Sequence, residues 1–108
     1  MPDDPKAQLE ELRRVYAEQL PTKLSEVDAA WRALAAGPWS PQKFQEFHRK
    51  VHALAGSAGM FGFPAVSEKA RILDLELKRL DAAAPPDRET AGRIAGGVSA
   101  MAQAGGTP

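Results

Sequence analysis

Apolar residues recur at alternating intervals of three and four along most of the chain, and this spacing constrains the fold more than any other feature. In the middle of the sequence the apolar positions are Phe44, Phe47, Val51, Leu54, Ala58 and Phe61. At about 100° per residue they fall on one side of an α-helix, which is typical of a helix that faces its neighbours in a bundle. No segment shows the period-two alternation of a half-buried strand. The pattern predicts an all-α protein.

Proline and glycine residues divide this pattern into five predicted helices. The first covers about 5–20, and Pro21 either ends it or is absorbed as a kink. The other connections are short, and they are Gly37 to Ser40, the Gly62-Phe63 corner and the loop over 82–86. Short connections favour antiparallel neighbours. We therefore predict an up-and-down antiparallel four-helix bundle with an additional N-terminal helix.

The 108 residues suffice for a single domain with one core, which we place at about 6–103, followed by a flexible tail over 104–108. Ser40 and Asp87 are predicted to cap the helices that follow them. Trp39, in the loop before Ser40, either covers one end of the bundle or forms an exposed contact. No second apolar face is evident, so we expect a monomer.

Charge and cysteine content exclude several classes of protein. The chain has 14 basic and 14 acidic residues and no cysteine. Balanced charge gives no basis for binding nucleic acid or an anionic membrane, and without cysteine there is no disulfide framework or thiolate nucleophile. The first residues do not resemble a signal peptide, and no apolar run approaches the roughly 18 residues that span a bilayer. We expect a cytoplasmic protein.

His52 lies in the central helix but away from its apolar side, at about 130° from the centre of the apolar residues. The imidazole is therefore predicted to project into solvent. On the same face follow Gly56 and Gly59, each of which weakens a helix by about 1 kcal/mol relative to alanine. Glycine at that cost on an exposed face suggests that another molecule approaches the backbone closely. A surface histidine beside incidental glycines is the alternative.

The motifs of several common chemistries are missing from the chain. There is no glycine-rich phosphate loop with a lysine, and no arrangement of serine, histidine and acid for acyl transfer. His48 and His52 have the spacing of metal ligands, but Arg49 stands where zinc proteases have glutamate, and the cationic flank disfavours a divalent ion. We predict no metal site and no intrinsic cofactor. Nucleophilic chemistry remains, in which an imidazole nitrogen takes a phosphoryl group and passes it on.

The residues from His52 to Gly62 read His-x-Leu-x-Gly-Ser-Ala-Gly-x-Phe-Gly. This sequence resembles the signature of histidine-containing phosphotransfer (HPt) domains, in particular that of chemotaxis histidine kinases, and the resemblance covers nearly the whole chain. It implies that His52 accepts and donates a phosphoryl group and that Gly56 clears space for the partner. The implied partners are response-regulator receiver domains, which would supply Mg²⁺, and a sensor or hybrid histidine kinase. The chain would be a phosphocarrier without a kinase ATP site.

The resemblance also assigns a partner to the imidazole. Chemotaxis domains carry an acidic residue on the next helix that hydrogen-bonds the histidine, and an ungapped count places Asp74 at that position. The alternative is that Asp74 is a solvated charge that pairs with Lys78 at i+4. Residues on the face of His52 are expected to contact the partner protein, namely Gln45, His48, Gly56 and Gly59.

The chain departs from the family pattern at Ala55, where a lysine usually stands three residues after the histidine. That lysine helps to offset the phosphoryl charge, and Arg49 or Arg71 is predicted to substitute for it. Without a substitute, phosphohistidine would be less stable or transfer slower. The departure therefore admits a second function, a non-catalytic four-helix adaptor that binds response regulators without efficient transfer. A ligand or metal site on His48 and His52 is a third.

Overall fold

The computed structural model describes residues 4–106, which form four α-helices. They are α1 (Pro5–Ala36), α2 (Pro41–Met60), α3 (Pro64–Lys78) and α4 (Arg88–Gly105). Each helix packs against the next along the chain, and α4 packs against α1, so that the bundle closes. The described residues contain no strand. The predicted all-α helical bundle is confirmed.

The helices begin where the sequence offers capping side chains. Asp4 accepts a hydrogen bond from the backbone N–H of Lys6, and Ser40 Oγ accepts one from Lys43 at 3.2 Å. Asp87 Oδ1 accepts one from the backbone N–H of Thr90 at 2.8 Å. These side chains satisfy backbone donors that have no partner within the helix. The predicted caps Ser40 and Asp87 are confirmed.

Of the two outcomes predicted at Pro21, the structure shows the second: α1 runs without interruption through the proline, so the described part of the bundle has four helices and no separate N-terminal one. Proline lacks an N–H, so the carbonyl of Ala17 loses its helical partner, and the ring crowds that carbonyl. Buried residues lie on both sides of the proline and pack into the same core: Tyr16, Leu20, Leu24 and Val27. Burial of these side chains outweighs the local cost of Pro21, which is itself exposed.

The C-terminal end of the bundle also lies later than predicted. Ala104 and Gly105 belong to α4, although the sequence assigned them to the tail. Thr107 and Pro108, the end of that predicted tail, lie outside the described residues.

One apolar core runs through the bundle, and all four helices contribute to it. The largest side chains that are wholly buried are Phe47, Leu20, Leu77, Ile94 and Met101. At one end Trp39 packs against Phe44, with ring centroids 5.4 Å apart, and its indole Nε1 donates to the carbonyl of Ala82 at 2.9 Å. Trp39 therefore covers the end of the bundle, which is one of its two predicted positions.

The first three turns of α1 extend beyond the core. Residues 5–14 are all exposed, and the buried positions of this helix begin at Tyr16. The 32 residues of α1 give a length of about 48 Å, against about 30 Å for the 20 residues of α2. None of the helices in the described part of the chain is both long and apolar enough to cross a membrane.

Replacing the exposed proline of α1 tests how much its local cost matters. Pro21→Ala supplies the missing N–H to the carbonyl of Ala17 and removes the ring. We expect the free energy of unfolding to rise by about 1–3 kcal/mol, measured by urea denaturation. Thr22→Ala, at the next exposed position, is the control and should change it by a few tenths of a kcal/mol. A loss of stability in Pro21→Ala would contradict this account.

Candidate functional site

His52 lies in the middle of α2 and points away from the core. Its neighbours Val51 and Leu54 are buried, which fixes the helix beneath it. The side chain of His52 is 65% exposed. The exposure predicted from helical geometry is therefore confirmed.

The carboxylate of Asp74, on α3, is the centre of a hydrogen-bonded cluster. Its Oδ2 lies 3.1 Å from Nδ1 of His52 and 3.1 Å from Nζ of Lys78. Its Oδ1 lies 2.7 Å from Nε2 of His48. Asp74 is only 4% exposed, so it is not the solvated charge of the alternative prediction, although it does pair with Lys78. Three donors satisfy a carboxylate that would be costly to bury alone.

The contacts of Asp74 decide its charge. Burial by itself raises the pKa of the Asp74 carboxyl, but hydrogen bonds from His52, Lys78 and His48, together with the charge of Lys78, outweigh that effect. The net result is a pKa below the ordinary value for aspartate. Asp74 is therefore ionised at neutral pH and accepts hydrogen bonds without donating any.

An acceptor at Nδ1 determines the tautomer of His52. Because the carboxylate of Asp74 only accepts, the proton of the neutral ring stays on Nδ1, and Nε2 keeps its lone pair. Nothing among residues 4–106 forms a hydrogen bond with Nε2 of His52. The ring thus presents an unprotonated nitrogen to solvent, which is the form that can act as a nucleophile.

Four small residues follow on α2, and three of them serve packing inside the bundle. Ala58 is wholly buried, and Ser57 Oγ accepts a hydrogen bond from the hydroxyl of Tyr16 on α1. A Cβ atom on Gly59 would lie 3.2 Å from Oγ of Ser67, so glycine lets α3 approach α2 closely there. Packing between α2 and α3 therefore explains the glycine at position 59, whereas the sequence alone suggested that Gly59 contacts a partner protein.

Gly56 is the exception in this run. It is exposed, and a Cβ atom added there would have no atom within 4 Å. Packing within the described bundle therefore does not require glycine at this position, one turn after His52.

The two arginines predicted to replace the missing lysine do not contact the Asp74 cluster, whereas Lys78 does. Arg49 and Arg71 are exposed, and within residues 4–106 the side chain of neither forms a hydrogen bond or ion pair. Lys78 instead binds the same oxygen of Asp74 as His52 does. Sequence reasoning considered Lys78 only as a surface partner of Asp74, and its i+4 spacing was the available signal. Ala55 is half-buried, packs against the core and accepts a hydrogen bond from Ser67.

The two remaining predicted contact residues differ in orientation. Gln45 is exposed on the same side of α2 as His52. The side chain of His48 is only 26% exposed, because its Nε2 is directed at Asp74. No group of three or more His, Cys, Asp or Glu side chains in the described chain is arranged to hold a metal ion.

Comparison with known proteins agrees with this arrangement. The model of one family, the Hpt domain, matches residues 11–104. Neither the curated proteins nor the solved structures that were compared gave a match. Since the family match spans most of the sequence, the chain belongs to the Hpt domain family. Domains of this family serve histidine phosphotransfer in phosphorelays and interact with receiver domains and histidine kinases.

The lowered pKa of Asp74 predicts part of the acid sensitivity of the fold. A lowered folded-state pKa stabilises the protein above the ordinary aspartate pKa, and this contribution is lost as pH falls through the folded-state value. We expect Asp74→Asn to lose about 1–3 kcal/mol at neutral pH, with the difference from the natural chain shrinking below about pH 4. Urea denaturation between about pH 2 and pH 7 measures it.

Asp28→Asn is the matched control for this experiment. It removes a more exposed carboxylate that pairs with Arg32 at 2.8 Å, and such pairs contribute little. A difference between the natural chain and Asp74→Asn that stays constant down to about pH 2 would contradict the assignment.

Proposed function

We propose that the chain is a histidine phosphotransfer protein of a two-component phosphorelay and that His52 is its phosphoacceptor. The observation that carries the proposal is that the two ring nitrogens of His52 lie in different surroundings. Nδ1 of His52 is held by the buried carboxylate of Asp74, which leaves the lone pair of the neutral ring on Nε2, and the side chain is 65% exposed. A nitrogen of this kind can react with a phosphoryl group bound to another protein.

The transfer step follows from this geometry. Nε2 of His52 attacks the phosphorus of an aspartyl phosphate on a receiver domain, the N–P bond forms, and the P–O bond breaks. The receiver carboxylate leaves with the electron pair, and the proton on Nδ1 stays in place. The ring gains a positive charge, which the carboxylate of Asp74 stabilises by an ion pair. The reverse sequence passes the phosphoryl group to another receiver aspartate.

The partner would complete the site. A receiver domain supplies Mg²⁺ and charge for the transferring group, whereas this chain supplies the nucleophile and its orientation. Because Gly56 has no side chain, nothing projects from that position beside the ring of His52, so a partner could approach the helix there. Gln45 is exposed on the same face of α2. We further propose that the chain acts as a cytoplasmic monomer with a sensor or hybrid histidine kinase upstream.

Lys78 is the candidate for the charge that Ala55 does not provide. Its Nζ and Nδ1 of His52 both lie 3.1 Å from the same oxygen of Asp74. The ammonium group is therefore within two hydrogen-bond lengths of the ring. Its side chain is half-exposed, so it has room to turn toward phosphoryl oxygens on His52. We propose Lys78, rather than Arg49 or Arg71, for this role.

The first prediction for this proposal concerns the site of phosphorylation. Phosphorylated receiver domains should place an acid-labile, base-stable label on the natural chain, and mass spectrometry should map it to His52. His52→Gln should abolish the label while the variant still unfolds in one cooperative urea transition, because His48 and Lys78 continue to hold Asp74. Gln103→Ala, at an exposed position on α4, is the control and should be labelled.

Two other results would count against this assignment. A label that persists in His52→Gln would place the acceptor elsewhere. Binding of receiver domains without any label on the natural chain would favour the non-catalytic adaptor.

The second prediction concerns the compensating charge. Lys78→Gln should slow transfer about threefold to tenfold, because it removes the cation that shares an oxygen of Asp74 with the ring of His52. Arg49→Gln and Arg71→Gln, which remove exposed cations without contacts, should stay within about twofold. Single-turnover transfer from a phosphorylated receiver measures all three.

A rescue variant sharpens this test. If Lys78 supplies the charge, a lysine at position 55 should restore part of the lost rate, so that Ala55→Lys combined with Lys78→Gln transfers faster than Lys78→Gln alone. Equal rates in Lys78→Gln and the natural chain would show that Lys78 is not needed.

A further inference from the structure

His48 binds the oxygen of Asp74 that His52 does not use. The distance between Nε2 of His48 and Oδ1 of Asp74 is 2.7 Å, and it is the shortest of the three contacts to this carboxylate. Because Oδ1 is held, rotation of the carboxylate is restricted. Oδ2 is thereby kept in the direction of the ring of His52.

The ring of His48 is itself held in place. It lies beside the buried Phe44 in a tilted arrangement, with ring centroids 6.2 Å apart, and Phe44 packs in turn against Trp39. The indole of Trp39 is bonded to the carbonyl of Ala82. The side chain of His48 is 26% exposed, less than half the 65% of His52. His48 therefore has the position of an internal support, and a partner protein could reach only part of it.

We propose that His48 is a positioning residue for phosphotransfer at His52. Its Nε2–H orients the carboxylate of Asp74, and that carboxylate holds the proton of His52 on Nδ1, so that Nε2 stays free. This inference rests on the proposed function for its link to transfer. The orientation of the His52 ring can be measured independently of any transfer.

The charged groups around Asp74 determine how the arrangement responds to pH. From α2 it is contacted by His48 and His52, and from α3 by Lys78. An imidazolium ring carries a proton on both nitrogens, so protonation of His48 preserves its bond to Oδ1. Loss of the His48 side chain, in contrast, leaves Oδ1 without this donor at every pH.

The test compares two substitutions of similar size. Gln places an N–H near the position of Nε2 of the histidine, whereas Leu has no donor. Three quantities are measured for each: the ¹⁵N chemical shifts of the His52 ring against pH, the single-turnover rate from a phosphorylated receiver, and the urea transition. Gln103→Leu, an exposed position on α4, which does not pack against α2, is the matched control.

We expect His48→Leu to lower the fraction of neutral His52 rings that carry the proton on Nδ1 and to slow transfer at least about tenfold. His48→Gln should keep the tautomer and a rate within about twofold of the natural chain. Gln103→Leu should change neither the tautomer nor the transfer rate. A purely structural role of His48 would alter the urea transition without altering the ¹⁵N shifts.

Either of two outcomes would overturn the proposal. One is an unchanged tautomer and rate in His48→Leu, and the other is equal impairment in His48→Gln and His48→Leu. The failure of the proposed function has a different signature. In that case the natural chain takes no label on His52, while the tautomer of His52 still depends on the donor at position 48.

Discussion

A buried carboxylate shared between α2 and α3 is the interaction on which the site depends. An ionised aspartate can be buried only when donors surround it, because the cost of removing a lone charge from water is several kcal/mol. Asp74 finds two donors on α2 and one on its own helix. The need to satisfy it therefore aligns the two helices in register and orients the ring of His52. One charge thus serves both the packing of the bundle and the chemistry of its surface.

The close approach of α2 and α3 makes this arrangement possible. Gly59 leaves space for Ser67, whose hydroxyl donates to the carbonyl of Ala55 at 2.7 Å. This contact lies about one turn beyond His52, so it ties the helices together next to the imidazole. Gly56 has no such internal partner. Small residues that look alike in the sequence therefore divide into those that bring helices together and one that leaves the surface open.

Periodicity predicted the helices and the exposure of His52, because both depend on a single helix and its apolar side. Periodicity did not predict which side chains of α3 lie opposite His48 and His52 on α2. His48 looked like a surface residue, since its contact is made by a side chain that lies 26 positions later. The i+4 spacing of Asp74 and Lys78 was visible, but their burial and shared oxygen were not. At Pro21 a local rule failed because core residues on both sides of it hold the helix together.

The length of α1 has a consequence for how the molecule fluctuates. Its first three turns have no buried residue, whereas the rest of the helix contributes six side chains to the core. Isolated helical turns are marginal in water, so the two parts of this helix have different local free energies of opening. We therefore expect amide hydrogens before Tyr16 to exchange through local fraying and those from Leu20 onward to be protected by the packed core. A single continuous helix thus joins a segment without core contacts to one that the core holds in place.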